Sequence, residues 1–66
     1  MPYGLVHSFN DENGYGFVEV DDGQLIFVHH RSIEMEGFRT LSRGDKVMFE
    51  IVVGKRGPEA MRVRKL

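Results

Sequence analysis

Glycine and proline interrupt this chain at short intervals, and that spacing limits the elements it can form. The interruptions fall at Gly14, Gly23, Gly37, Gly44, Gly54, Gly57 and Pro58. The segments between them are rich in Val, Ile, Phe and Tyr, which favour strands, and none shows a convincing helical period. Short strands separated in this way are typical of a β-barrel or a β-sandwich.

Five strands follow from this spacing. We expect them near Tyr3–Phe9, Tyr15–Val20, Gln24–His29, Lys46–Val53 and Glu59–Lys65. The group Asp21-Asp22-Gly23 predicts a tight two-residue hairpin tip between the second and third strands, which makes its carboxylates turn residues and not a catalytic pair. The long connection from Arg31 to Asp45 is irregular, and loops of that length are often functional. Because we find no repeat, low-complexity tract or linker, we expect one domain over residues 1–66.

Composition and charge narrow the classes of partner. The 66 residues include no cysteine, and no signal peptide or apolar run of about 20 residues is seen. We therefore expect a cytoplasmic protein with no membrane partner. A net charge of −1 argues mildly against a polyanionic partner. Acidic residues gather in the first half, however, and Arg and Lys dominate from Arg39 onward, so one face can still be neutral or basic.

The second and third strands each have an aliphatic and an aromatic face. Because side chains alternate along a strand, Tyr15 and Phe17 lie on the face opposite Val18, and Phe27 and His29 share a face in the third strand. The aliphatic faces account for a core of the size that such a chain can fill. Further core members are expected at Val6, Val47, Phe49, Ile51, Met61 and Val63.

The rings of Tyr15, Phe17 and Phe27 are surplus to that core. Alternation alone is equally compatible with an exposed patch and with a second small core under the long loop. Nearby polar and cationic residues favour binding of nucleic acid over a second core, because stacked bases with phosphates beside them need hydrogen bonds and positive charge next to the rings. These residues are His29, Asn10, Asn13, Arg39 and Arg56. Gly14 and Gly16, which flank Tyr15, are expected to leave both faces of its ring open.

The adjacent histidines are not expected to form a metal site. On a strand His29 and His30 point to opposite faces and cannot bind one ion together. No nucleophile, base and orienting group stand at a catalytic spacing, so we expect no enzyme activity, catalytic residue, metal or cofactor.

These motifs resemble the cold-shock domain, a five-stranded member of the OB-fold class. Asn13–Val20 is similar to the first ribonucleoprotein motif of that family, and Ile26–His30 to the second. The likeness continues through Gly4–Asn10, Glu36–Leu41 and Gly54–Ala60. An RNA-recognition motif is excluded because it needs two helices, more residues and the two motifs in the reverse order. The resemblance implies an all-β, five-stranded antiparallel Greek-key barrel.

The resemblance also implies a function. Such domains bind single-stranded RNA and DNA with low sequence specificity, often as RNA chaperones or as cold-shock-type regulators of transcription and translation. A monomer is expected, with a strand-exchanged dimer as the alternative. The nucleic-acid-binding positions carried over are His7, Ser8, Phe9, Asn10, Asn13, Tyr15, Phe17, Phe27, His29, His30, Phe38, Arg39, Arg56, Gly57 and Pro58.

The chain departs from the family pattern at four of these positions. Ser8 stands where Trp is usual, His30 where Phe is usual, and His7 and Asn13 where Lys is usual. We therefore expect weaker binding than in typical members. Strict alternation does not place both Ser8 and Phe9 on the binding face, so the position of Ser8 there rests on the resemblance. A protein-interaction module using the same aromatic patch is the alternative function.

Overall fold

The structure is a computed structural model that describes residues 2–66, and its strands follow the glycine-bounded segments. Its elements are β1 (Tyr3–Asn10), β2 (Tyr15–Glu19), β3 (Leu25–His29), a short 3₁₀ turn (His30–Ser32), β4 (Lys46–Gly54) and β5 (Gly57–Lys65). The strands close into a barrel in the order β1-β2-β3-β5-β4. The expected five-stranded barrel is confirmed, and within it β3 and β5 run parallel while the other pairs are antiparallel. No helix in the described part of the chain could span a membrane.

The core confirms the inward faces of β2 and β3. Its buried members are Val6, Val18, Ile26, Val28, Ile33, Leu41, Val47, Phe49, Ala60 and Val63. The expectation for Ile51 is wrong, since this side chain is 46% exposed. β1 pairs with β4 only as far as Tyr3 and Met48, so Ile51 lies beyond the part of β4 that β1 covers. Met61 is half-buried and not a full core member.

The long connection contributes core residues that alternation did not reveal. Ile33 forms an isolated parallel bridge with Val63, and the backbone N–H of Glu34 donates to the Val63 carbonyl at 2.8 Å. Leu41 is also buried. This segment therefore covers one end of the barrel, which explains how a chain of this size fills its interior.

A β-bulge in β1 reverses the faces of the residues after it. Val6 pairs with Val18, but Ser8 pairs with Phe17, so His7 is the extra residue. Ser8 consequently lies on the outer face beside Phe17. Phe9 packs against the core instead. With Val6 in the core, unbroken alternation would place Ser8 inward and Phe9 outward. The bulge at His7 is the physical reason why this alternation does not hold here.

The β2–β3 hairpin is confirmed, but its loop has three residues and not two. The Val20 N–H donates to the Gln24 carbonyl at 3.0 Å, and the Gly23 N–H donates to the Val20 carbonyl at 2.8 Å. Gly23 has a φ of 85°, the left-handed conformation that such a loop requires. The carboxylate of Asp22 accepts the Gln24 N–H at 2.9 Å, so Asp22 acts as a turn residue as expected.

Candidate nucleic-acid interface

Three rings form what we call the aromatic surface, consisting of Tyr15, Phe17 and Phe27. Phe17 and Phe27 are paired across β2 and β3. The Tyr15 and Phe27 centroids are 5.7 Å apart, and those of Phe17 and Phe27 are 6.0 Å apart with nearly perpendicular planes. Rings at these separations stabilise one another. Tyr15 is 40% exposed and the two Phe rings are half-buried, so the surface is ordered yet open to a flat ligand.

These rings do not form a second core under the long loop. The buried side chains of that loop, Ile33 and Leu41, belong to the core of the barrel, which does not include the aromatic surface. The alternative of a second core beneath that loop is therefore wrong for this molecule.

The glycines beside Tyr15 have a role in packing that was not expected. A Cβ on Gly16 would collide with the Ser8 carbonyl oxygen and lie 2.6 Å from the Cα of Phe9. Gly14 has a φ of 77°, and a Cβ there would lie 2.7 Å from Nδ1 of His30. Both glycines allow close approach of neighbouring segments. The interpretation that they leave both faces of the Tyr15 ring open stays a prediction.

A first depression, the loop cleft, lies between the β1–β2 loop and the long connection. It measures about 410 Å³ and is lined by Phe9, Asp11, Glu12, Asn13, Gly14, His30, Gly37, Phe38 and Arg39. Phe38 is 72% exposed, so its ring is available to a ligand. Asp11 and Glu12 were not expected at the site. They directly precede Asn13, which was expected at the site, and this position in the sequence could have indicated them.

Hydrogen bonds hold the walls of the loop cleft. The side-chain oxygen of Asn10 accepts the Asn13 N–H at 3.0 Å, and its carbonyl accepts the Gly14 N–H at 2.7 Å. The Thr40 hydroxyl donates to the Asp11 carboxylate and joins the two loops. The oxygen of Asn10 thus serves the fold, which leaves its side-chain NH₂ group for other partners.

The adjacent histidine rings lie side by side. β3 ends at His29 and the chain turns at His30. The centroids of the two imidazole rings are therefore only 4.5 Å apart. The expectation that the two side chains point to opposite faces of a strand is wrong. His30 places Nδ1 at 3.4 Å from the Gly14 carbonyl oxygen, and its backbone N–H donates to the same oxygen at 2.7 Å. No metal-binding group of three or more His, Cys, Asp or Glu side chains occurs among residues 2–66.

The environment of His29 disfavours its charged form. Desolvation lowers the pKa of His29 below its ordinary value of 6.5, the charges of His30 and Arg31 lower it further, and Glu59 opposes them. Nδ1 of His29 also accepts the backbone N–H of Arg31 at 3.3 Å, a bond that protonation of this nitrogen would remove. His29 is therefore a neutral partner near pH 7.

A second depression, the cationic cleft, adjoins the aromatic surface. It measures about 430 Å³ and is lined by Tyr15, Phe27, His29, Arg31, Lys55, Arg56 and Glu59. β5 pairs with β3 through Phe27 and Glu59, which brings the β4–β5 turn beside the rings. Arg31 and Lys55 were not predicted from the sequence to lie at the site. Arg31 directly follows His30 and Lys55 directly precedes Arg56, and both of those residues were predicted.

The basic residues of β5 are engaged in ion pairs. On β5, Arg62 lies 3.8 Å from Glu50, Arg64 lies 2.7 Å from Glu34, and Lys65 lies 3.3 Å from Asp45. These pairs are solvated and add little to stability. They do account for the basic residues of the last strand, none of which is among the expected site residues.

Five of the expected site residues belong neither to a cleft nor to the aromatic surface. His7 is the exposed bulged residue, Ser8 is exposed beside Phe17, and Asn10 stabilises its turn. Gly57, with a φ of 107°, pairs with Gly54 to close the β4–β5 hairpin, and Pro58 pairs with Val53. The other ten line the loop cleft, the cationic cleft or the aromatic surface.

Comparison with known proteins agrees with this geometry. The family model of the 'cold-shock' DNA-binding domain matches residues 2–66. The chain is 54% identical to cold shock-like protein CspLB of Listeria monocytogenes and 54% identical to cold shock protein CspB of Bacillus caldolyticus. Both alignments run over 66 residues and cover all of both chains.

A solved structure shows the same fold. The drosophila Unr CSD456 structure superimposes with a TM-score of 0.80 at 23% identity, covering 98% of this chain and 26% of that chain. Together with the family match over residues 2–66, these relatives confirm the resemblance seen in the two motifs, and the chain belongs to the cold-shock domain family.

Proposed function

We propose that this protein binds single-stranded RNA or DNA with low sequence specificity, by stacking bases on the aromatic surface. The observation that carries this proposal is the packing of three partly exposed rings, Tyr15, Phe17 and Phe27, beside a cluster of cations. A base stacked on one ring contributes roughly 1 to 3 kcal/mol, and every base has a flat face to offer. Low specificity follows, because stacking does not depend on the hydrogen-bonding edge of the base.

The two clefts extend this surface. Phe38, exposed at the rim of the loop cleft, offers a further ring, and His30 lies in the same cleft. The cationic cleft supplies Arg31, Lys55 and Arg56 for the phosphate backbone. We propose weaker binding than in typical members, because Ser8 and His30 occupy positions where the family carries aromatic rings.

The relatives are named cold shock proteins, and we propose a corresponding role in the cell. In that role the protein is a non-catalytic RNA chaperone, or a cold-shock-type regulator of transcription and translation, in the cytoplasm. We further propose that residues 1–66 act as one monomeric domain. The closed barrel, whose strands run from Tyr3 to Lys65, supports the single domain.

Calorimetric titration with a short single strand and with the duplex of the same sequence tests the proposal. The single strand should bind much more tightly, because a duplex hides its base faces. Equal affinity for the two would contradict stacking on the aromatic surface. Sizing across protein concentration, with and without the strand, tests the protein-interaction alternative. Self-association that hides the aromatic surface and blocks binding of the oligonucleotide would favour that alternative.

A further inference from the structure

The outward face of β1, β2 and β3 continues beyond the aromatic surface. Paired residues of antiparallel strands project to the same face, so the register arranges this face in rows across the three strands. Starting at the end nearest the loop cleft, the rows are Asn10-Tyr15-His29, Ser8-Phe17-Phe27 and Leu5-Glu19-Leu25. The first two rows contain the aromatic surface. The last, which we call the third row, lies outside that surface and outside both clefts.

The third row exposes two large apolar side chains next to the rings. Leu5 is 48% exposed and Leu25 is 43% exposed. Residues two apart on a strand are separated by about 6.6 Å, so the third row follows directly after Phe17 and Phe27. One more nucleotide of an extended strand reaches that far. The third row is therefore continuous with the proposed binding surface, and its leucines offer a flat base an apolar contact.

Glu19 adds a hydrogen-bond acceptor to the third row. Its exposed side chain lies between the two leucines, and no ion pair within residues 2–66 engages it. Lys46 pairs with Leu5 across β1 and β4, but it shares a depression with Asp21, so these two charges offset each other. A carboxylate accepts hydrogen bonds and repels phosphate. The third row therefore suits the base of a nucleotide and not its phosphate.

The donor pattern of the four bases selects guanine at this position. Guanine carries two adjacent donors, N1–H and N2–H₂, on its Watson–Crick edge, and the two oxygens of one carboxylate can accept both. Adenine, cytosine and thymine each place an acceptor beside the donor on that edge, and a carboxylate repels that acceptor.

We propose that the third row forms a further base subsite, in which guanine packs against the exposed leucines and donates to the carboxylate of Glu19. This inference rests on the proposed function. It adds a base preference at one position to the low-specificity stacking on the aromatic surface, where the rings accept any base.

Hexathymidine strands extended by one nucleotide test the subsite. The added base is guanine, adenine, cytosine or thymine, at the 5′ or the 3′ end, and affinity is measured by calorimetry. At one end guanine should bind about fivefold more tightly than the other three bases, from one bidentate contact at an exposed position. The gain should be confined to one end, because the strand lies along the face in one direction.

Two pairs of variants assign the effect to the third row. Glu19→Gln should remove the guanine preference, because an amide offers one acceptor oxygen in place of two. Glu50→Gln, which removes the same charge from a partly exposed position of β4, should preserve the preference. Leu25→Ser should weaken binding of the guanine-ended strand about three- to fivefold, whereas Val53→Ser, at an exposed apolar position near the end of β4, should leave it unchanged. Melting curves show whether each variant is folded.

Equal binding of the four bases at both ends, or a guanine preference that survives Glu19→Gln, would overturn the subsite and leave the proposed function intact. In methyl NMR spectra, the signals of Leu5 and Leu25 should shift when the guanine-ended strand is added. Shifts that follow the protein concentration and not the strand would assign the third row to contacts between copies of the protein and overturn the inference. Absence of binding by every strand would instead refute the proposed function.

Discussion

Restoring a ring at position 8 gives the sharpest test of the aromatic surface. Ser8 is exposed and pairs with Phe17 across β1 and β2 because His7 is bulged out. Paired residues in antiparallel strands project to the same face with Cβ atoms about 4.5 to 5.5 Å apart. The substitution Ser8→Trp would therefore extend the aromatic surface by one ring next to Phe17.

The expected gain in affinity follows from the energy of stacking. One base stacked on one ring contributes roughly 1 to 3 kcal/mol, which is about five- to 150-fold in the dissociation constant. Folding stability should hardly change, because Ser8 faces solvent. If position 8 were instead in the core, overpacking would cost about 1 to 3 kcal/mol of the free energy of unfolding.

The assay is calorimetric titration with a heptathymidine strand, with thermal unfolding of each variant alongside. The native chain has no tryptophan, so quenching of the introduced fluorophore on binding gives an independent signal. Ser42→Trp is the matched control, since Ser42 is an exposed loop serine outside both clefts. Unchanged affinity in a well-folded Ser8→Trp protein would refute the reasoning that Ser8 adjoins the binding surface.

Three further outcomes test the site and the fold. Phe17→Ala and Phe27→Ala should each weaken binding of the single strand by roughly 1 to 3 kcal/mol while the protein stays folded. Val28→Ala removes part of a fully buried core side chain and should lower the melting temperature instead. If the two Phe variants lose binding only because they unfold, this prediction is contradicted. Because the pKa of His29 lies below 6.5, affinity should rise only as pH falls below that value, and His29→Gln should flatten the rise. The stability that neutral His29 contributes is present above pH 6.5 and is lost as pH falls through its folded pKa, which melting curves against pH would show. Gly16→Ala should cost about 1 to 3 kcal/mol or more by overpacking against β1, measured by denaturant unfolding, and a stabilised variant would show that the contact is absent.

Local pattern was enough to predict the strands and the inward faces of β2 and β3. Alternation placed Val18 and Val28 in the core and Tyr15, Phe17 and Phe27 outside it, as the structure shows. The glycine positions predicted where strands end. Strand positions and strand faces depend on residues that are close together in the chain. They can therefore be predicted from the sequence without knowing which segments pair.

The features that were missed depend on pairing between distant segments. Alternation could not reveal the bulge at His7, which puts Ser8 outside and Phe9 against the core, because the bulge is a property of the register between β1 and β2. Ile51 is exposed because β1 covers only part of β4. Leu41 is buried because the long connection covers the barrel.

The sequence by itself therefore determined a small β-barrel with surplus aromatic rings, since alternation and turn chemistry act locally. Only the tertiary structure decided which charges surround those rings. Arg31 lines the same cleft as Lys55 and Arg56 because β5 pairs with β3 and carries the β4–β5 turn to the aromatic surface. The β5 cations are engaged with Glu34, Asp45 and Glu50 through ion pairs that also join distant segments. A net charge of −1 thus coexists with a positively charged cleft, because folding, and not composition, sets the distance between charges.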